Sequence, residues 1–310
     1  MAGRIITIGE AVLDIIFRNR QPQRANPGGS MLNAAVSLGR SGLPVQLISE
    51  IGNDQAGELI ADFLAFNRVG TDYIRIRPGI QTPLALAFLD EKMNARYDFY
   101  RSAEPEESQP AWNFPRLQDD DIFLFGSYFP IMPARQADLA PLWSQVDCGR
   151  FLTVYDPNFR SAHRDQLPQL RPIIISHIAR SHLVKGSTED FELVFGETNP
   201  ESVYRQVSRC GCRCLILTAA SNPVRVFTPT IRLSVPVSTI PVVSTIGAGD
   251  NFNAGLIDAF YRKHVTCDDL ENLSAGEWED LILPAIGWAR EVCQSMDNYI
   301  SAEKFGVRLN

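Results

Sequence analysis

A doubly wound α/β fold, with a mostly parallel sheet flanked by helices, is predicted by three observations. Short apolar runs of strand length alternate with segments of helical spacing along most of the chain. The 310 residues, 45% of them apolar, are enough for one large α/β body carrying a small appendage. A glycine-containing turn, Gly247-Ala248-Gly249, leads from an extended apolar run into a helical pattern that opens with a carboxylate. Folds of this class bind ligands at the carboxyl ends of their strands.

The strand-like runs are Ile5 to Ile8, Val45 to Ile48, Ile122 to Phe125, Phe151 to Tyr155, His182 to Val184 and Cys214 to Leu217. Between them Met31, Ala34, Ala35 and Leu38 form one helical stripe, and Leu59, Ile60, Phe63 and Leu64 another. Two stretches break the alternation. Ile15 to Asn26 is polar and contains proline, whereas Pro83 to Arg101 reads as two strands around the turn-like Asp90-Glu91-Lys92-Met93-Asn94. Asp14, the turn at 28–33, Asp156 and Asp250 all follow apolar runs, so they are expected at one edge of the sheet.

In the last glycine turn, Pro241-Val242-Val243 ends an extended run, and Phe252, Leu256, Ala259 and Phe260 then recur on one helical face. A helix is therefore predicted to begin near Asp250. The small residues at 247–249 let the backbone approach a ligand, and the unpaired first-turn amides with the positive helix end suit an anion. By itself Asp250 reads equally well as an N-cap. Phe252 occupies the place of the third glycine of a dinucleotide fingerprint, and the Gly-Lys-Ser/Thr of a P-loop occurs nowhere, which excludes both.

Charge and cysteine usage exclude further classes. A net charge of -7 supplies no polybasic face for nucleic acid. The apolar run at the N-terminus is too short for a signal peptide and no segment nears the roughly 18 apolar residues of a membrane span, so a cytoplasmic location is expected. Six cysteines in a chain this long do not form a disulfide scaffold. Cys212 and Cys214 are expected on one face of a strand, with no histidine cluster to complete a metal site. His163-Arg164-Asp165 mimics a protein-kinase catalytic loop, but Leu170 stands where that loop needs asparagine.

The segment Ser244-Thr245-Ile246-Gly247-Ala248-Gly249-Asp250-Asn251-Phe252-Asn253-Ala254-Gly255 resembles the C-terminal signature of the PfkB, or ribokinase-like, carbohydrate kinases. Pro27-Gly28-Gly29-Ser30-Met31-Leu32-Asn33-Ala34-Ala35, followed by Leu38-Gly39, Gly42 and Ile51 to Gly57, resembles the N-terminal one. Gly9-Glu10 with Asp14, Phe99-Tyr100-Arg101 and Tyr155 to Arg160 extend the likeness over nearly the whole chain, and these three segments are most similar to the fructokinase branch.

The resemblance implies a ribokinase-like doubly wound body at 1–14, 27–82 and 102–310, and a small β lid at 15–26 and 83–101. It implies an ATP-dependent sugar kinase acting on a primary hydroxyl, with fructose as acceptor. 2-Keto-3-deoxygluconate kinase is the alternative, and a catalytically weak, kinase-derived sugar-binding or regulatory protein is another. Asp250 takes the role of catalytic base, and the amides around Gly247, Ala248 and Gly249 that of the anion hole. Asp14, Gly28, Gly29, Asn33, Tyr100, Arg101 and Arg160 fall on the sugar side. Lys185, Ser187, Thr218, Gly247 and Gly249 fall on the nucleotide side. Asp190 would touch Mg2+ through water, although a helix cap explains Ser187 to Asp190 equally well. Family members commonly pair their lids, which implies a homodimer.

Three departures from the pattern cluster on the nucleotide side. Ser244 replaces an aspartate that helps bind a monovalent cation in relatives, which puts that cation in doubt. Ala219 to Pro223 carries Ala220 and Pro223 where glycines are usual, and Cys293 to Ser301 lacks the customary Gly-Ala turn.

Overall fold

A computed structural model describes residues 3–90, 95–103 and 110–305. The chain separates into two compact units. One holds Thr7–Pro115, Ile240–Ala254 and the residues from Trp288 onward; the other holds the residues up to Ile6, Arg116–Thr239 and Gly255–Gly287.

In the first unit, β1 (Ile5–Ile8) enters a sheet whose order continues through β4 (Val45–Gly52) to β5 (Val69–Gly70). β6 (Ile74–Arg77) pairs parallel with β4. A smaller sheet has the order β3-β2-β7-β8, from β2 (Val12–Arg18), β3 (Gln21–Gly28), β7 (Leu84–Leu89) and β8 (Ala95–Tyr100). The β2–β3 hairpin turns at Asn19 and Arg20, both with positive φ, as a two-residue connection requires. Both polar-interrupted stretches thus supply the small sheet. The expected turn between β7 and β8 falls largely at 91–94, outside the described residues.

Along β2, Val12, Asp14 and Ile16 share the buried face, which places a carboxylate in line with aliphatic side chains. Two helices complete the main part of this unit: α1 (Ser30–Arg40), whose predicted stripe is fully buried, and α2 (Gln55–Phe66). In α2 the predicted stripe is corrected, since Ile60 and Leu64 are buried but Leu59 is 44% exposed. The apolar spacing over 59–64 is wider than the face that α2 packs.

The second unit orders its strands β14-β13-β12-β11-β10-β9, with β9 (Ile122–Gly126), β10 (Leu152–Asp156), β11 (Leu183–Ser187), β12 (Leu215–Ala219), β13 (Asn222–Phe227) and β14 (Arg232–Val235). β9 to β12 run parallel, and β9 and β10 are buried at every position. Strands covered on both faces read as continuous apolar runs, which is how they stood out in the sequence. β13 and β14 close this edge antiparallel.

The helices of this unit are α3 (Gln136–Cys148), α4 (Leu167–Ala179), α5 (Thr188–Phe195) and α6 (Pro200–Arg209). α7 (Ala248–Lys263) and α8 (Ala275–Cys293) run through both groupings of residues. Cys212 and Cys214 are buried but precede β12, which starts at Leu215; burial pushes both thiols up to about 12. Among the described residues no helix is long and apolar enough to cross a membrane.

An aromatic cluster anchors the second unit. Phe125, fully buried, lies 4.9 Å from Tyr155, 5.4 Å from Trp143 and 5.4 Å from His177 between ring centroids. Burial holds the His177 imidazole down to about 3, so it packs as a neutral ring. Phe125→Ala leaves a cavity among rigid rings and is expected to lower unfolding stability by about 3–5 kcal/mol, read from urea melts. A loss below about 1 kcal/mol would show that these rings do not anchor the core.

Candidate active site

The predicted N-terminal turn forms where β3 ends at Gly28 and α1 begins at Ser30. Gly29, at φ +120°, adopts a backbone that side chains disfavour, and a Cβ there would come within 2.0 Å of the Glu10 carbonyl oxygen. At Gly28 a Cβ would stand 2.0 Å from Asp14 Oδ2. The diglycine therefore makes room for the Asp14 carboxylate and for the chain at Glu10.

The C-terminal turn lies in the same unit. α7 starts at Ala248, two residues earlier than predicted, so Asp250 sits inside the first turn and not at the cap. Its carboxylate faces α1: Ser30 Oγ donates to Oδ1 at 2.6 Å and Asn33 Nδ2 donates to Oδ2 at 2.8 Å. Ser30 and Asn33 are three residues apart and share a helix face, which lets one helix grip both oxygens. Asn33 Oδ1 is buried without a hydrogen-bond partner, an acceptor to which a ligand hydroxyl could donate. Gly247 takes φ +79°, and a Cβ there would meet the Asn298 carbonyl oxygen at 2.8 Å. Two amides of the expected anion hole are engaged within the turn: Ile246 N–H donates to Ser244 Oγ and Ala248 N–H to the Thr245 carbonyl.

Acidic groups gather beside this turn. Asp14 is buried on β2, and its pKa is pushed up to about 7 by desolvation first, then by the charges of Asp250 and Glu10. Glu10 accepts both arms of Arg101, Nε at 2.7 Å and Nη2 at 2.8 Å, and that guanidinium lies 4.6 Å from the Phe99 ring. Arg101 is thus matched to a carboxylate of its own unit. Tyr100, at the end of β8, is 59% exposed. The sequence reading did not single out Ser30 or Glu10; a hydroxyl directly after the diglycine was the available signal for Ser30.

The remaining predicted residues belong to the second unit. Lys185 is buried, with Nζ 2.9 Å from Asp156 Oδ2. Asp190 is the N3 residue of a capping box on α5. Its Oδ2 accepts from Ser187 N–H and Ser187 Oγ, each at 2.7 Å, and its Oδ1 accepts from Phe159 N–H at 2.7 Å. Burial and the nearby Asp156 raise its pKa. This donor set is that of a helix cap. Thr218 is half-buried and pairs in register with Ser187, while Arg160 is exposed before a short helical turn at Ser161–Gln166. The expected loop at 219–223 is instead a two-residue hairpin turn: Ala219 pairs with Asn222, Ala220 has φ +46°, and Pro223 lies on β13.

Comparison with known proteins gives concordant results. Residues 3–303 match the family model described as pfkB family carbohydrate kinase. Among curated relatives, a probable fructokinase-6, chloroplastic, of Arabidopsis thaliana is 26% identical over 281 residues, covering 87% of this chain and 73% of that protein. Among solved structures, the aminoimidazole riboside kinase of Salmonella enterica, complexed with aminoimidazole riboside and an ATP analogue, superposes with a TM-score of 0.78 at 19% identity, over 99% of this chain and 100% of that one. A fructokinase of Vibrio cholerae O395 with fructose, ADP and calcium gives a TM-score of 0.78 at 20% identity, covering 98% of each chain.

The burial of Asp14 has a consequence for stability. Its pKa is higher folded than unfolded, so its contribution is full below about pH 4 and is lost as pH rises through about 7. Between pH 5 and 8 the wild type is expected to lose on the order of 2 kcal/mol that Asp14→Asn does not lose, measured by urea unfolding. Parallel pH profiles for the two proteins would contradict the assignment.

Proposed function

Because the chain belongs to the pfkB family of carbohydrate kinases and is an ATP-dependent sugar kinase, we propose that it phosphorylates a primary hydroxyl of a neutral monosaccharide, with fructose the foremost acceptor. The observation that carries this reading is the Asp250 carboxylate in the first turn of α7, held by Ser30 and Asn33 just after the diglycine that leads into α1. In this reading Asp250 takes the proton of the acceptor hydroxyl as its oxygen bonds to the γ-phosphorus. The bond from that phosphorus to the β,γ-bridging oxygen breaks, and ADP leaves. The positive end of α7 and the amides near Gly247 and Gly249 offset charge on the moving group.

Asp14, Gly28, Gly29 and Asn33 form the acceptor side. Near neutral pH, Asp14 is part protonated and can donate as well as accept, and Asn33 Oδ1 offers an acceptor. Such a mixed set suits hydroxyls. Arg101 is matched to Glu10, which favours a neutral ketose over the sugar acid of 2-keto-3-deoxygluconate kinase. Retention of Asp250 with its two partners favours an enzyme over a sugar-binding regulator.

On the nucleotide side, Lys185, Ser187 and Thr218 are kept as candidates, with Ser187 and Thr218 half-buried and Lys185 buried. Mg2+ would supply charge compensation to the phosphates. Among the described residues no group of three or more acidic, cysteine or histidine side chains could hold it, and Asp190 is committed to its cap. No step is therefore assigned through the ion. Ser244 Oγ already accepts from Ile246 N–H, and no monovalent cation enters this reading. A cytoplasmic location and a homodimer paired through the small sheet complete it. The latter is supported by the exposed rings of Phe88 and Tyr100 on β7 and β8.

Two measurements test the proposal. ADP release should occur with fructose and fall at least a hundredfold in Asp250→Asn with the melting profile preserved, in line with the roughly 10²–10⁴-fold worth of a general base. Near-normal turnover in that variant refutes the base, and turnover only with sugar acids or nucleosides refutes the acceptor. Light scattering should give the mass of two chains; the mass of one chain refutes the dimer.

A further inference from the structure

Asn251 is fully buried and plays no part in the reading above. Its side-chain amide donates from Nδ2 to two backbone carbonyls, Gly247 O at 2.8 Å and Asn298 O at 2.8 Å. Its Oδ1 accepts from Ser37 Oγ at 2.5 Å, and Ser37 Oγ in turn accepts from Ile300 N–H at 3.2 Å. Both donors and the acceptor of the amide are thus used. The backbone N–H of Asn251 also donates to Gly247 O, at 2.9 Å.

The clamped residues are those that set the course of the glycine turn. Gly247 is in the left-handed region and lies against Asn298. Two carbonyl dipoles pointed at one spot repel unless a donor stands between them, and the NH2 of an amide meets both with one group. Aspartate, of the same size, would aim acceptor oxygens at both carbonyls; alanine or serine would leave at least one of them unmet. Asn298 belongs to a segment tied elsewhere in the same unit: Asp297 pairs with Arg24 of β3 at 2.5 Å, and Tyr299 Oη donates to the Pro27 carbonyl. The clamp therefore joins the glycine turn to a chain segment braced against the strand that delivers the diglycine.

We propose that Asn251 is a positioning residue for phosphoryl transfer, fixing the course of the glycine turn at 247–249 through Gly247 and Asn298. The inference rests on the kinase reading for the identity of the anion, and on geometry alone for the clamp. Placement errors of about 1 Å at such a site cost about 10²-fold in rate.

The test compares Asn251→Ala, Asn251→Asp and Asn251→Ser in the full chain, by steady-state kinetics and by thermal shift with ATP and with fructose added separately. Expected are a kcat lowered tenfold or more in the Ala and Asp variants, a KM for fructose within about twofold of wild type, and a thermal shift with ATP that is lost while that with fructose persists. Serine, with one donor, should fall in between, and it serves as the readout should the other two not fold. Wild-type kcat in Asn251→Ala, or equal loss of both thermal shifts, overturns the proposal. Absence of turnover in the wild type with every acceptor would count against the kinase reading alone. The ATP shift of wild type against Asn251→Ala would then decide the clamp, supporting it if the variant loses the shift and overturning it if both keep it.

Discussion

The grip of Ser30 and Asn33 on the Asp250 carboxylate is the contact on which the rest of the first unit depends. It joins residues 220 and 217 positions apart, so it exists only when the β3–α1 turn and the start of α7 arrive together. A nearly buried carboxylate without donors carries a desolvation cost of several kcal/mol, and two short hydrogen bonds from neutral groups offset it. Neutral donors matter here. A lysine or arginine would hold the carboxylate as firmly but would lower its basicity, whereas a hydroxyl and an amide orient it and leave it able to accept a proton.

The glycines follow from the same constraint. Asp14 occupies the space beside Gly28, and the backbone at Glu10 occupies the space beside Gly29. Any side chain at either position would drive the turn away from β2 and carry Ser30 and Asn33 with it. Of the acids collected here, Glu10, Asp14 and Asp250, Glu10 is matched by the Arg101 guanidinium. Asp14, desolvated by burial first and then facing the charges of Asp250 and Glu10, is pushed up to about 7. A site that sets the partly protonated Asp14 and an amide oxygen without a partner beside the Asp250 carboxylate offers hydroxyl groups both donors and acceptors.

Charge is handled differently in the second unit. Lys185 and Asp156 neutralise each other out of solvent, and Asp190 spends its oxygens on backbone and hydroxyl donors of its own neighbourhood. Buried pairs of this kind are costly to break from one side, and their worth lies in fixing how β10, β11 and α5 meet. Ala220 in the left-handed region at the β12–β13 turn costs about 1–2 kcal/mol relative to glycine, a local strain that the paired strands on either side hold in place.

Periodicity and glycine placement are properties of neighbouring residues, and what they determine was legible in the chain itself: the parallel strands, the buried stripe of α1, the small sheet, both signature turns and the family. The start of α7, the exposure of Leu59 and the β13–β14 edge escaped that reading, because helix entry and exposure are set by packing partners. Only the tertiary structure decided that Lys185 is buried against Asp156, that Arg101 is matched to Glu10 across 91 residues, and that Asp190 is a cap. It also decided that Asp14 keeps a proton near neutral pH and that Asn251 clamps Gly247 to Asn298. A side chain's charge state and hydrogen-bond partners depend on which distant groups share its low-dielectric surroundings, and no local spacing of residues encodes that.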